Sequence, residues 1–138
     1  MMNPPGISFR DFSLFAPELT LIGLGLMVLV LGLLFPRMYR ETLVTIVLTG
    51  LAAAFIITVH HWNEPTQVFS NMLSVDNFSV GFNCLFLMSA ALAILLSLNA
   101  LEGQYLLYSE YVALLIFATV GMMLMASSSH LLTLFLGL

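Results

Sequence analysis

The sequence has 138 residues, of which 61% are hydrophobic and only 7% are charged, and its mean hydropathy is +1.09. A soluble domain carries roughly 25% charged residues, so a chain this apolar could not cover a water-facing surface, and lipid must be its solvent. The formal net charge of −4 comes from seven acids against three arginines, which leaves no basic patch for a nucleic acid. The composition therefore predicts an integral membrane protein with no nucleic-acid partner.

Four apolar segments are long enough to cross a bilayer, whose hydrocarbon core of about 30 Å requires roughly 20 helical residues. Their predicted bounds are residues 17–35, 42–59, 77–98 and 110–126, and residues 130–138 begin a fifth helix. Pro17 and Glu18 suit the first helix start, because proline is tolerated there and an acid favours the positive end of the helix dipole. The predicted fold class is all-α: a polytopic transmembrane helix bundle with four full spans plus the start of a fifth, in one membrane domain.

The fifth apolar segment is too short to span. Leu131 to Leu138 would reach only about 12 Å as a helix, which is less than half of the hydrocarbon core. A helix that stops inside the hydrocarbon leaves carbonyl groups unpaired at high cost. We therefore expect the sequence to be the N-terminal part of a larger subunit, or to need a partner that covers this end.

The arginines and aromatic residues predict how the segments lie in the membrane. Arg37 and Arg40 lie between the first two segments, and positive loops collect on the cytoplasmic side, so the N-terminus is expected on the outer side. Trp62 lies near a predicted helix end, as interfacial aromatics do. The four tyrosines have similar positions: Tyr39, Tyr105, Tyr108 and Tyr111.

Small residues predict where helices approach one another closely. In the third segment they recur at Ser89, Ala93 and Ser97, and in the second at Gly50 and Ala54. In lipid, such stripes allow helix backbones to pack together. The single cysteine, Cys84, cannot form an internal disulfide and is expected to be a small packing residue.

The titratable side chains fall in predicted loops or near helix ends, so no relay of ionisable groups across the membrane is predicted. Glu110 is either a proton-entrance group or an ordinary helix-dipole acid. His130 is either the mouth of a proton pathway or a capping histidine. The neighbours His60 and His61 point about 100° apart on a helix and cannot chelate one metal together. We expect no metal site, no catalytic residue in this chain, and no proton conduction by the isolated chain.

The last third of the chain resembles a known family. The motif Tyr108-Ser109-Glu110-Tyr111, the helix ending Gly121 to Ala126, and the run Ser127 to Leu138 are similar to subunit N of bacterial respiratory complex I, the NADH:quinone oxidoreductase. Ala16-Pro17-Glu18-Leu19 and Val75-Asp76-Asn77-Phe78-Ser79 agree in order. The related subunits of cation/proton antiporters and membrane-bound hydrogenases share much of this pattern and remain alternatives, as does a small structural membrane protein.

The resemblance implies the N-terminal part of a proton-translocating subunit that couples electron transfer from NADH to quinone with proton transport. This stretch would be mainly scaffold, because the essential glutamate of the family would follow Leu138; Glu110 and His130 remain candidates for the proton path. The chain itself would bind no cofactor, and quinone, NADH, FMN and iron–sulfur clusters would belong to partner subunits. Other membrane subunits of complex I and the lipid would be its partners, in the bacterial inner (plasma) membrane with the N-terminus periplasmic.

Overall fold

The computed structural model describes residues 16–35, 40–60, 62, 66–68, 73–75, 77–100, 105–128 and 131–138. In chain order the elements are α1 (Ala16–Leu34), α2 (Arg40–His60), β1 (Thr66–Val68), β2 (Leu73–Val75), α3 (Asn77–Ala100), α4 (Tyr105–Ser127) and α5 (Leu131–Gly137). Among these residues, α1 to α4 are each long and apolar enough to cross a membrane. The predicted all-α polytopic bundle, with four spans and the start of a fifth, is confirmed.

The fourth helix begins at Tyr105, earlier than the predicted start at residue 110. Hydropathy marks the part of a helix that lies in hydrocarbon, whereas the helix itself can continue into the interface. The early start places Tyr108 one turn inside α4, still near the helix end as predicted, but fully buried against the other helices. Trp62 and Tyr111 are exposed, as interfacial aromatics would be, while Arg37 and Tyr39 lie outside the described residues.

The segment between α2 and α3, predicted as a loop, contains a small hairpin. Strands β1 and β2 pair antiparallel, with Thr66 opposite Val75 and Val68 opposite Leu73. The backbone groups of the two strands satisfy one another's hydrogen bonds through this pairing. Strand β2 lies against α3 and α4, so the hairpin covers one end of the bundle.

The four spanning helices form a closed bundle. Helix α1 packs against α2 and α4, α3 packs against the same two helices, and α5 packs on the outside of α4. The inward-facing side chains are aliphatic or small and include Leu21, Val28, Val47, Leu51, Leu87, Ile94, Val112 and Ile116. The outward side chains are also apolar: Leu33, Ile56, Leu96 and Leu114 are each more than 60% exposed. An apolar exterior this extensive is suited to lipid, as expected of a multi-pass membrane protein.

Glycines set the closest helix contacts. A methyl group placed on Gly32 would overlap Ser109 of α4, and one on Gly25 would lie 3.2 Å from the Phe117 ring. A methyl group on Gly50 of α2 would likewise overlap the Leu24 side chain of α1, which agrees with the close helix approach predicted at Gly50. The predicted stripe on α3 holds only in part. Ser97 is buried and Ala93 is partly buried, whereas Ser89 is exposed.

One hydroxyl joins α3 to α4. Ser79 is buried and donates from Oγ to the carbonyl oxygen of Ala126 at 3.0 Å. Interhelical hydrogen bonds in membranes are worth about 0.6 kcal/mol on average, so we expect Ser79→Ala to lower the free energy of unfolding in detergent by about that amount. The matched control is Ser89→Ala, because the exposed Ser89 hydroxyl bonds within its own helix, to Phe86. Equal stability of the two variants would contradict the assignment.

Candidate functional site

The one acid among the buried side chains of the described residues is Glu18, the third residue of α1. It is only 5% exposed, and its Oε2 atom has no hydrogen-bond partner within the described part of the chain. A buried polar atom without a partner is costly, and an acid inside a transmembrane bundle is by default a candidate for function. Glu18 is therefore the leading candidate.

The packing register shows which neighbour Glu18 faces. Gly32 lies against Ser109, and Gly25 lies against Ile116. Helices α1 and α4 therefore run antiparallel, and moving seven residues back along α1 corresponds to moving seven residues forward along α4. Glu18 lies seven residues before Gly25, and residues seven apart share one face of a helix to within about 20°. Glu18 thus lies on the same face of α1 as Gly25 and Gly32, the face that packs against α4. At the same height along the bundle, α4 presents Met123, which is fully buried.

The one arginine in the described helices, Arg40, lies far from Glu18 along the bundle. Gly50 of α2 lies against Leu24 of α1, and the two helices run antiparallel. The start of α2 at Arg40 therefore lies at the height of Leu34, about 24 Å from Glu18 along the axis of α1. Arg10 and Arg37 lie outside the described residues. Helix α2 ends at the Glu18 end of the bundle with His60, which is exposed. No described residue thus provides a cation beside this carboxyl.

Five further buried polar residues of the described chain lie in the same half of the bundle: Thr58, Ser79, Asn83, Thr119 and Ser127. Thr58 and Thr119 donate their hydroxyls to carbonyl oxygens of their own helices, at Ala54 and Leu115. Asn83 is 6% exposed and its Oδ1 atom has no partner among the described residues. The hydrogen bond from Ser79 to Ala126 fixes the height of α3 against α4, and the two helices run antiparallel. Asn83, four residues after Ser79, therefore lies at the height of Met122 of α4.

The buried side chains at the Glu18 end of the bundle are therefore more polar than those in its middle. Glu18 and Asn83 lie at almost the same height, beside the adjacent α4 residues Met123 and Met122. Thr58 lies in the last turn of α2, at the same end of the bundle. Between this level and that of Ser109, the buried positions of α1 and α4 are aliphatic or small apart from Thr119, as at Leu21, Val28 and Ile116. The geometry provides polar groups near one end of the bundle and a mainly apolar interior across its middle.

The two predicted pathway residues do not join this site. Glu110 is exposed in the second turn of α4, about 20 Å along that helix from the level of Glu18. His130 lies outside the described residues, as does His61. Within the described ranges, no group of three histidine, cysteine or acidic side chains is placed to hold a metal ion.

Sequence reasoning found Glu18 but missed its burial. An acid in the first turn of a helix is usually a solvated dipole acid, and that was the interpretation of Pro17-Glu18. The available signal was the spacing of seven between Glu18, Gly25 and Gly32, which puts the acid on the face that glycine opens to another helix.

Comparison with known proteins finds the similarity that the sequence motifs predict. Subunit N 1 of NADH-quinone oxidoreductase from Koribacter versatilis is 35% identical over 98% of this chain and 28% of that protein. Subunit N from Desulforamulus reducens is 38% identical over 93% of this chain and 27% of that protein. The predicted resemblance to subunit N is confirmed.

A chloroplastic protein is similar as well. The chloroplastic subunit 2 of NAD(P)H-quinone oxidoreductase from Zygnema circumcarinatum is 34% identical over 94% of the chain and 26% of that protein. No family model matches the sequence. The chain spans only about a quarter of the length of these relatives, and the match covers all four spanning helices.

Proposed function

We propose that this chain forms part of a proton-translocating membrane subunit of NADH-quinone oxidoreductase, which couples electron transfer from NADH to quinone with proton transport. The similarity to subunit N over 93% or more of the chain carries this proposal. The described structure fits such a role, because four apolar helices with an apolar exterior form a wall for further membrane helices.

Within the subunit, this stretch acts mainly as scaffold. Proton transfer across a membrane requires titratable groups along the path, and the middle of the described bundle is lined by aliphatic residues. NADH, FMN, the iron–sulfur clusters and quinone would be bound by partner subunits. The exposed apolar faces would contact lipid and the other membrane subunits of the complex.

The chain would lie in the bacterial inner membrane with its N-terminus on the periplasmic side. The two arginines between α1 and α2, Arg37 and Arg40, support this orientation because short positively charged loops remain in the cytoplasm. Glu18, Asn83 and the hairpin between α2 and α3 would then lie toward the periplasm. Glu110 would lie toward the cytoplasm.

The test is to delete the gene that encodes this sequence and to assay inverted membrane vesicles. We expect loss of NADH-driven quinone reduction and of the accompanying vesicle acidification, and we expect the intact gene to restore both. Retained NADH-driven acidification combined with loss of cation/proton exchange would contradict the proposal and favour an antiporter subunit. Retention of both activities would favour a structural protein.

A further inference from the structure

We propose that Glu18 is a proton-binding site: a buried carboxyl at the junction of α1 and α4 that takes up and releases a proton at that end of the bundle. This inference does not depend on the identity of the larger complex. It rests on the position of the side chain, on its Oε2 atom, which has no hydrogen-bond partner among the described residues, and on the apolar character of its surroundings.

The first step concerns the charge of the carboxyl. An ionised acid in the apolar interior must be paired or neutralised, because burial of an isolated charge is too costly. The neighbouring levels of the two helices present Leu21, Val120 and Met123, which are buried and uncharged. Protonation removes the charge and makes the carboxyl a hydrogen-bond donor as well as an acceptor.

The second step concerns the other titratable groups on the helices that pack against α1. On α4 these are Tyr105, Tyr108, Glu110 and Tyr111, which belong to the first two turns, at the opposite end from Glu18. On α2, Arg40 and Glu41 belong to the first turn, also at the opposite end, and His60 is exposed beyond the start of α1. The described groups thus provide no cation that faces the carboxyl, and a proton is the ligand that neutralises it.

The third step concerns access. Glu18 lies about 3 Å along the helix axis from the first residue of α1, so the shorter route for a proton leads through this end of the bundle. In the other direction, about 20 Å of aliphatic packing separates its level from that of Glu110. The site therefore exchanges protons with one side of the membrane only. It would serve as a terminal proton acceptor or donor and not as a relay.

The experiment measures protonation directly in membranes that contain the full protein. Dicyclohexylcarbodiimide reacts with protonated carboxyls in apolar surroundings, and peptide mass spectrometry gives the labelled fraction at each acid. We expect labelling of Glu18 at neutral pH, with a fraction that falls about tenfold per pH unit once the carboxyl ionises. The exposed Glu41, at the start of α2, is the internal control and should remain unlabelled.

The variant Glu18→Gln should abolish the label on this peptide and leave the folded protein intact, because an amide resembles a neutral carboxyl in shape. Labelling at Glu18 that is no greater than at Glu41, or that does not change with pH, would overturn the proposal. The wild-type measurement stands even if the variant fails to fold. The labelling does not require NADH oxidation, so it can succeed or fail independently of the proposed function.

Discussion

Replacing Gly32 by alanine is expected to destabilise the bundle by about 1–3 kcal/mol, the usual cost of overpacking a well-packed interior. The new Cβ would lie 2.5 Å from the Cβ of Ser109 and would overlap the Ser109 hydroxyl as well. Nonbonded carbons prefer separations of about 3.5–4.0 Å, and rotation of the hydroxyl does not move the Ser109 Cβ. Helices α1 and α4 would therefore have to separate. Thermal unfolding of the detergent-solubilised protein measures the loss.

Two further variants show whether the contact itself is responsible. Gly23→Ala lies on the same helix with nothing within 4 Å of the added Cβ, so it should not destabilise the protein. The double variant Gly32→Ala with Ser109→Gly removes the opposing Cβ and should recover much of the loss. Equal destabilisation by Gly23→Ala and Gly32→Ala would show that the contact with Ser109 does not cause the loss, because alanine has the higher helix propensity at both positions.

Replacing Gly121 by alanine should detach α5 from α4. The added Cβ would lie 2.6 Å from the backbone carbonyl oxygen of Gly137, and a backbone atom cannot move aside by a change of rotamer. We expect a loss of about 3 kcal/mol, toward the upper end of the usual cost of overpacking. Protease accessibility of the segment after Ser127 and the unfolding temperature both measure the change.

The contact between α4 and α5 can also be tested from the other side. A Cβ on Gly137 would lie 2.9 Å from the Met125 side chain and 3.1 Å from the Gly121 carbonyl oxygen, so Gly137→Ala should have a smaller effect in the same direction. Gly81→Ala adds a methyl group with nothing within 4 Å and is the matched control. A protease pattern unchanged in Gly121→Ala would contradict this packing of α5.

The helices were predictable because their cause is local. Each span is a run of apolar residues of the length that the hydrocarbon requires, and the acids and prolines at its ends are visible in the sequence. The early start of α4 was missed because Tyr105 to Ser109 continues the helix past the apolar run that hydropathy detects. The hairpin was missed because its strands have only three residues each, too few to show a periodic pattern.

The candidate site was not predictable, because it depends on contacts between helices distant in sequence. Glu18 is buried because glycines on its own face let α4 approach, and that register is set by Ser109 and Ile116, some ninety residues later. The same applies to Asn83, which the sequence presents as one polar residue in an apolar run. By contrast, the stripe through Ser89 was over-interpreted, since spacing alone does not decide which face meets a neighbour.

Proton flux through the isolated chain tests the scaffold role most directly. Across the middle of the described bundle the buried side chains are aliphatic or small, and Glu18 reaches only one side. The 138-residue chain, reconstituted in liposomes that contain a pH-sensitive dye and driven by a potassium diffusion potential, should admit protons no faster than empty liposomes. Proton uptake above that of empty liposomes, abolished by Glu18→Gln, would show that this bundle conducts protons by itself and would contradict its role as scaffold.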